Sequence, residues 1–255
     1  MKVKLVGSSV GDGPARQFLT SYLIDDTLAI DAGSVGFMSS LDAQRRINAV
    51  FLSHAHMDHV ASLPMLLDNV FRPGHDCVVV YGSATVLDCL RHDLFNDRIW
   101  PDLQQLGDDE HTFIKLVELH DHQSVSCGRL NITPVPLDHA VPTHGFLVDD
   151  GECSIAIASD TRATHAIWQV LSRQANLRAV FLEASFPNSL TWLAEQSGHL
   201  TPAQFAEEAK KLEADVEWLA VHIKANHQAE VAAELQALGM DRLQIAEADR
   251  EYKFS

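Results

Sequence analysis

The hexapeptide His54-Ala55-His56-Met57-Asp58-His59 constrains this chain most, because it places three imidazoles and one carboxylate within six residues. It follows an apolar, strand-like run at residues 47–53, and the apolar residues over 60–70 have helical spacing. In an extended backbone, side chains two residues apart point the same way, so His54, His56 and Asp58 can converge while His59 turns to the other side. Imidazole and carboxylate ligands suit zinc and also iron or manganese. The sequence therefore predicts a site for two adjacent metal ions on a strand-to-helix loop.

Composition narrows the class of protein. The 255 residues are 46% apolar and 21% charged, which is typical of a globular chain and argues against disorder. No apolar run approaches the roughly 20 residues that span a bilayer, and residues 1–7 lack the apolar region of a signal peptide. We therefore expect a cytoplasmic protein with no membrane partner, folded as a single domain over residues 1–255.

Charge and cysteine content narrow the kind of partner. The formal charge is −16, and a strongly acidic surface repels phosphate backbones, so long nucleic acid is not an expected partner. A local metal cluster can still attract a small anion against that field. The four cysteines occur singly, without a C-x-x-C pair, and are expected to be reduced, buried side chains that bind no metal.

Residues that can bind metal recur directly after apolar, strand-like runs. The runs begin at residues 130, 154, 179 and 217. They are followed by Asp138 and His139, by Asp160, by Glu183 and by His222, respectively. Strand ends can share one edge of a sheet, so these side chains can lie together. Surface groups scattered at random would not produce this pattern.

The order of the predicted elements indicates an α/β fold. Strand-like runs dominate the first half, where residues 20–33 are typical of a hairpin that turns at Asp25 and Asp26. Strands alternate with helices later in the chain. Helices are expected at 83–92, with Ser83 as N-cap, and at 202–212, with Thr201 as N-cap and Pro202 as the first residue. Two sheets between layers of helices are predicted.

Asp31 and three isolated histidines lie outside the main pattern. Asp31 follows the strand-like run at 28–30, and it either supports the ligand loop or touches the metal directly. His111, His120 and His122 lie in or near a loop predicted at 97–112. Because they follow no strand end, they are expected to be surface residues.

The motif together with His139, Asp160 and His222 resembles the metallo-β-lactamase fold hydrolases. This resemblance implies a four-layer αββα sandwich of the α/β class with a two-metal site. The chain resembles more closely the class II 3′,5′-cyclic-nucleotide phosphodiesterases of that superfamily. The stretches that carry this closer resemblance are 56–64, Trp100-Pro101, 185–188 and 198–200. His144 departs from the pattern, because an apolar residue is more usual there, and it is expected to affect the substrate pocket.

The resemblance also implies roles for individual residues. It gives His54, His56 and His139 to one metal ion, Asp58, His59 and His222 to a second, and Asp160 to both. The implied cofactors are two divalent ions per chain, zinc first, with manganese or iron as alternatives. Glu183 and His199 are implied to be catalytic without binding metal, with Glu183 orienting the His199 ring toward phosphate. Asp58 is implied to help orient the nucleophile. The other explanation of His199 is that it caps the helix beginning at Pro202.

The implied activity is hydrolysis of cyclic AMP, cyclic GMP or both to the 5′-monophosphate, with a small cyclic nucleotide as the partner and a homodimer compatible with the chain. Phe37, Trp100, Phe186 and Trp192 are candidates to stack on the base, although core packing is the simpler explanation for each. The alternatives are a transfer-RNA 3′-end processing endonuclease of the same fold, redox chemistry at iron, and a metal- or nucleotide-binding protein without turnover. The acidic charge argues against the endonuclease.

Overall fold

The structure is a computed structural model, and it describes residues 1–8, 18–73, 75, 77–107 and 112–255. His111 lies outside these residues, as does part of the loop predicted at 97–112. His120 and His122 are exposed, as predicted. The chain divides into two compact units. We call residues 2–120 with 247–253 the N-terminal unit, and residue 1 with 121–246 and 254–255 the C-terminal unit.

The N-terminal unit contains a seven-stranded mixed sheet within its described residues, in the order β14-β1-β2-β3-β4-β5-β6. Its strands are β1 (Lys2–Leu5), β2 (Tyr22–Ile24), β3 (Leu28–Ile30), β4 (Ala49–Phe51), β5 (Val78–Gly82), β6 (Ile114–Glu118) and β14 (Glu251–Lys253). The predicted hairpin is β2 and β3, which pair antiparallel. It turns at Asp25 and Asp26, which both have positive φ, a conformation that aspartate tolerates in tight turns.

Helices cover one face of this sheet. They are α1 (Leu41–Gln44), α2 (Met57–Val60), α3 (Leu63–Val70) and α4 (Ala84–Cys89), with a 3-10 turn at Val35–Phe37 and a π turn at Leu90–Leu94. Ser83 caps α4 by accepting a hydrogen bond from Val86 N, as predicted. Apolar residues of α3 and α4 form one buried cluster with alternate residues of β4 and β5, which is the pattern expected of a helix packed on a pleated sheet.

The C-terminal unit contains a second seven-stranded mixed sheet within its described residues, in the order β13-β12-β11-β10-β9-β8-β7. Its strands are β7 (Val125–Cys127), β8 (Leu130–Leu137), β9 (Thr143–Asp149), β10 (Ser154–Ala158), β11 (Leu177–Glu183), β12 (Glu217–Val221) and β13 (Leu243–Ile245). Its helices are α5 (Ala166–Leu171), α6 (Thr191–Ser197), α7 (Pro202–Ala209) and α8 (Gln228–Ala237), with 3-10 turns at Asn188–Leu190 and Ala225–His227. The helices and alternate strand residues share a buried cluster that includes Ile167, Leu182 and Phe205.

Three strands were not expected from the sequence. β7, β13 and β14 are three residues each, and none of them is fully buried along its length. They lack the apolar runs from which the other strands are predicted. The cysteines are free, as predicted, but only Cys153 is buried and the other three are half-buried. No helix in the described part of the chain is both long and apolar enough to cross a membrane.

Candidate metal centre

The first two motif histidines lie in the N-terminal unit, directly after β4. His54 is buried, and its Nε2 lies 3.0 Å from Nδ1 of His56. The backbone from His54 to His56 is neither helix nor strand, and His56 has an extended conformation. Two imidazole nitrogens this close can share a proton, or both can bind one cation.

Asp58 and His59 differ from the expectation of a loop with extended backbone. They belong to the short helix α2, which begins at Met57. Neighbouring side chains of a helix are separated by about 100° around its axis, so the alternation expected from a strand fails at this point. Oδ2 of Asp58 and Nε2 of His59 are nevertheless only 3.9 Å apart. The polar ends of the two side chains therefore still lie side by side.

Asp31 and Ser53 hold the ring of His59. Asp31 Oδ2 accepts a hydrogen bond from His59 Nδ1 at 2.7 Å, and Asp31 Oδ1 accepts one from Ser53 N at 2.8 Å. A carboxylate only accepts, so the proton of a neutral His59 is on Nδ1 and the lone pair is on Nε2. This geometry matches the supporting role considered for Asp31, behind the ring of a ligand.

Gly33 fixes the position of α2. A Cβ at this residue would lie 2.1 Å from Asp58 O and 2.7 Å from Thr20 N, two atoms that are hydrogen-bonded to each other. We expect Gly33→Ala to destabilise the protein by about 3 kcal/mol, since neither backbone atom can move without breaking that bond. The midpoint of urea unfolding measures this effect. The control is Gly151→Ala, at φ +87 with nothing within 4 Å of the new methyl, which should cost about 1 kcal/mol. Equal losses would contradict the steric explanation.

Four strand ends of the C-terminal unit meet at one edge of its sheet. β10, β11 and β12 are parallel neighbours. β9 pairs antiparallel with both β8 and β10, so β8 runs in the same direction as β10. Asp160, Glu183 and His222 therefore lie at or just beyond the ends of adjacent strands, and His139 follows β8 at the same edge. The expectation that strand ends bring these residues together is confirmed within this unit.

Asp160 lies at the centre of the polar groups at this edge. Its Oδ2 is 3.3 Å from Nε2 of His222, and 4.0 Å from both Nε2 of His139 and Nδ1 of His199. The potential ligand atoms of Asp160, His199 and His222 all lie within 4.8 Å of one another. A buried carboxylate among imidazoles fits a divalent cation, because the cation satisfies the carboxylate charge and the imidazole lone pairs together.

The ring of His139 is held in a neutral form. Its Nδ1 donates to Gly198 O at 2.7 Å, which leaves the lone pair on Nε2, the atom that faces Asp160. Burial of the ring lowers the pKa of His139, and this effect outweighs the raising effects of the Gly198 bond and Asp160. The uncharged form, which is the form that binds metal, is therefore favoured.

Glu183 orients His199. The carboxylate is buried; Oε1 accepts from His199 Nδ1 and from Thr161 N, both at 2.9 Å, and Oε2 accepts from Leu200 N at 3.2 Å. Burial of the ring opposes its charged form, but the charge and hydrogen bond of Glu183 prevail and raise the pKa of His199. Glu183 therefore engages the Nδ1 side of the ring.

The helix at Pro202 does not use His199 as its cap. Thr201 accepts from Gln204 N, and the Gln204 side chain accepts from Thr201 N at 3.0 Å, so these two residues form a capping box. This confirms the prediction of Thr201 and Pro202 as cap and first residue. The structural explanation considered for His199 is therefore wrong, since the cap is complete without it.

Sequence reasoning missed two buried serines. Ser53 Oγ lies 2.8 Å from Asp31 Oδ2 and 3.0 Å from His54 Nδ1. Ser185 Oγ donates to Glu183 Oε2 at 2.6 Å and lies 3.0 Å from His222 O. Each serine lies two residues after the end of a strand. Ser53 links Asp31 to the ring of His54, and Ser185 links Glu183 to the backbone of His222. For Ser53 a signal was available, since it stands two residues after a buried strand and directly before the histidine motif; Ser185 has no histidine beside it in the sequence.

The four aromatic candidates for base stacking have different surroundings. Trp100 is partly buried against the core of the N-terminal unit, as core packing predicted. Phe37 and Trp192 are exposed, so core packing is wrong for them. Phe186 lies edge-on to His199, with ring centroids 5.7 Å apart, and is the candidate that touches a proposed catalytic residue.

His144 is a paired group. It is buried on β9, and its Nε2 lies 2.7 Å from Oδ1 of Asp121. The departure from an apolar residue therefore brings a carboxylate partner with it. Its effect on a substrate pocket stays a prediction.

Comparison with known proteins identifies the family. Residues 30–223 match the family described as Beta-lactamase superfamily domain, and this match covers more than half of the chain. The chain belongs to this superfamily. Within it, the chain is 29% identical to a Yersinia pestis protein named "Probable 3′,5′-cyclic-nucleotide phosphodiesterase", over 82% of this chain and 72% of that protein. It is 25% identical to ribonuclease Z of Anoxybacillus flavithermus, over 75% and 73% of the two chains.

The fold of the superfamily is also seen in solved structures. The crystal structure of unliganded yeast PDE1 matches with a TM-score of 0.79 at 15% identity, over 98% of each chain. The predicted α/β fold of the metallo-β-lactamase type and the prediction of a hydrolase of this superfamily are confirmed. The superfamily and the cluster of Asp160, His199 and His222 indicate divalent-metal binding, as predicted.

Proposed function

We propose that this chain is a binuclear-metal phosphodiesterase that hydrolyses 3′,5′-cyclic nucleotides, cyclic AMP or cyclic GMP, to the 5′-monophosphate. The observation that carries the hydrolytic part is the buried pair of Glu183 and His199 beside Asp160 and His222. The similarity to the Yersinia pestis protein over most of this chain supports the choice of a cyclic nucleotide. The charge of −16 supports a small substrate over a long nucleic acid.

The proposed ligands are the seven predicted from the sequence. One ion is assigned to His54, His56 and His139, the other to Asp58, His59 and His222, with Asp160 assigned to both. Zinc is the proposed ion, with manganese or iron as alternatives. The hydrogen bonds on Nδ1 of His59 and of His139 support this assignment, since they hold each ring as metal-binding imidazoles are held. When bound, divalent cations lower the pKa of a coordinated water and neutralise charge on phosphoryl oxygens.

The chain's own residues supply orientation and a proton. In the proposed reaction a water oxygen bonds to phosphorus and gives up one proton to solvent. The bond from phosphorus to O3′ breaks, and O3′ takes up a proton. His199 is assigned as the donor of that proton, from Nε2, since Nδ1 is engaged by Glu183. Glu183 is the group that stabilises the charged ring and fixes its plane. Asp58 is proposed to help orient the attacking water.

A direct assay tests this proposal. The zinc-loaded protein is incubated separately with cyclic AMP, cyclic GMP and a precursor transfer RNA, and the products are separated by chromatography. We expect 5′-AMP or 5′-GMP and an intact RNA, and we expect removal of metal by a chelator to stop turnover. Trimmed RNA without cyclic-nucleotide turnover would establish the endonuclease alternative. The similarity to ribonuclease Z is the reason for testing it. Binding of cyclic AMP without product over hours would establish a protein without turnover.

A further inference from the structure

We propose that Lys224 binds a phosphoryl oxygen of the substrate through its ammonium group, beside His199 and His222 in the C-terminal unit. The identity of the substrate rests on the proposed function. The binding of a phosphate anion does not, because any phosphoester cleaved here presents the same oxygens.

The position of Lys224 is fixed from its backbone outward. Lys224 N donates to Ser185 O at 3.1 Å, so the turn after β12 is tied to the end of β11. The ammonium lies 2.8 Å from Nε2 of His222, and that nitrogen lies 3.3 Å from Oδ2 of Asp160. The positive charge is therefore at the edge of the sheet where Asp160 and His222 lie.

The contact with His222 cannot persist when that ring binds a metal ion. An ammonium has three donors and no acceptor, so it uses the lone pair of His222 Nε2, the same lone pair that a cation requires. The donor that Lys224 uses in this contact is then released to another acceptor. The flexible four-carbon stem of Lys224 permits this movement.

A phosphate oxygen is the acceptor that the surroundings favour. The ammonium lies 2.8 Å from Nε2 of His222, and the potential ligand atoms of His222 and His199 lie within 4.8 Å of each other. The ammonium is therefore close enough to act on a group that His199 meets. Arg162, two residues beyond Asp160, has its Nε 3.5 Å from Oδ1 of Asp138 and is already engaged by a carboxylate. Lys224 contacts Nε2 of His222, a proposed ligand atom.

Phosphate binding to the zinc-loaded protein tests the inference. Isothermal titration with inorganic phosphate is carried out on the wild type, Lys224→Met, Lys224→Arg and Lys210→Met, and the zinc content of each is measured. Lys210 is an exposed lysine paired with Glu207 in the same unit, so its variant controls for loss of one charge. We expect Lys224→Met to raise the Kd for phosphate about tenfold or more with unchanged zinc content. The Kd of Lys224→Arg should stay nearer to that of the wild type, and the Kd of Lys210→Met should equal that of the wild type.

The outcomes separate this inference from the proposed function. Unchanged phosphate affinity in Lys224→Met, loss of zinc from that variant, or no phosphate binding by the wild type would overturn it. If the wild type leaves cyclic AMP intact while Lys224→Met weakens phosphate binding, the proposed function fails and the inference holds. If cyclic AMP is hydrolysed and Lys224→Met binds phosphate normally, the reverse is true.

Discussion

Asp160→Ala is expected to reduce hydrolysis of cyclic AMP by about 10³-fold or more and to lower the metal content of the protein. Asp160 is buried, and its Oδ2 lies within 4.0 Å of nitrogen atoms of His139, His199 and His222. Its removal takes the negative charge away from three imidazoles and leaves fewer ligands for each proposed ion. Metal content by mass spectrometry and initial rates with cyclic AMP measure the two effects.

The control for Asp160→Ala is Asp215→Ala. Asp215 is an exposed carboxylate of the same unit that pairs with Arg242 at 3.0 Å, and its loss should change neither rate nor metal content, since exposed ion pairs contribute little. If Asp160→Ala retained two metal ions per chain, the assignment of Asp160 to both ions would be refuted.

His199→Ala is expected to keep its metal and to lose turnover by about 10²- to 10⁴-fold, the range associated with loss of a general acid. The reason is geometric: Nδ1 is held by Glu183, and Nε2 is the atom assigned to donate the proton to O3′. A steady-state comparison should show the loss in kcat, with a smaller change in KM, because the proton is needed in the transition state.

Two further variants make the test of His199 specific. His165→Ala removes an exposed histidine of the same unit and should have the rate of the wild type. Glu183→Gln keeps the volume of the side chain but removes its charge, and it should lower kcat in the same direction as His199→Ala. A His199→Ala variant with nearly normal turnover would show that the ring has only a structural role, and a loss of metal would show that it is a ligand.

The sequence predicted those parts of the fold that depend on local pattern. The hairpin turn at Asp25 and Asp26 and the caps at Ser83 and Thr201 have short-range signals, and each lies where it was expected. The helix at Met57–Val60 was missed because it is a single turn inside a histidine-rich motif, where polar residues hide any apolar spacing. The edge strands β7, β13 and β14 were missed because their residues are mostly exposed or only partly buried.

The candidate site was predictable only in part, for a physical reason. Candidate ligands could be recognised because apolar strands end next to residues with suitable chemistry. The hydrogen bonds that orient them join distant residues: Asp31 to His59 and Glu183 to His199. Ser185 serves the second of these contacts from ordinary sequence surroundings. Such pairings depend on how strands are placed in the sheet, which local pattern does not specify.

The candidate ligand His222 and Asp31, which binds the ring of His59, both have left-handed backbone, and this limits how the centre can be redesigned. Asp31 and His222 both have φ of +58, a region that glycine, asparagine and aspartate enter far more easily than branched residues do. An exchange of ligands to suit another metal would therefore have to satisfy the backbone as well as the coordination chemistry. At position 222 the main-chain conformation would tolerate aspartate or asparagine. Valine or isoleucine would strain the backbone there, whichever metal is bound.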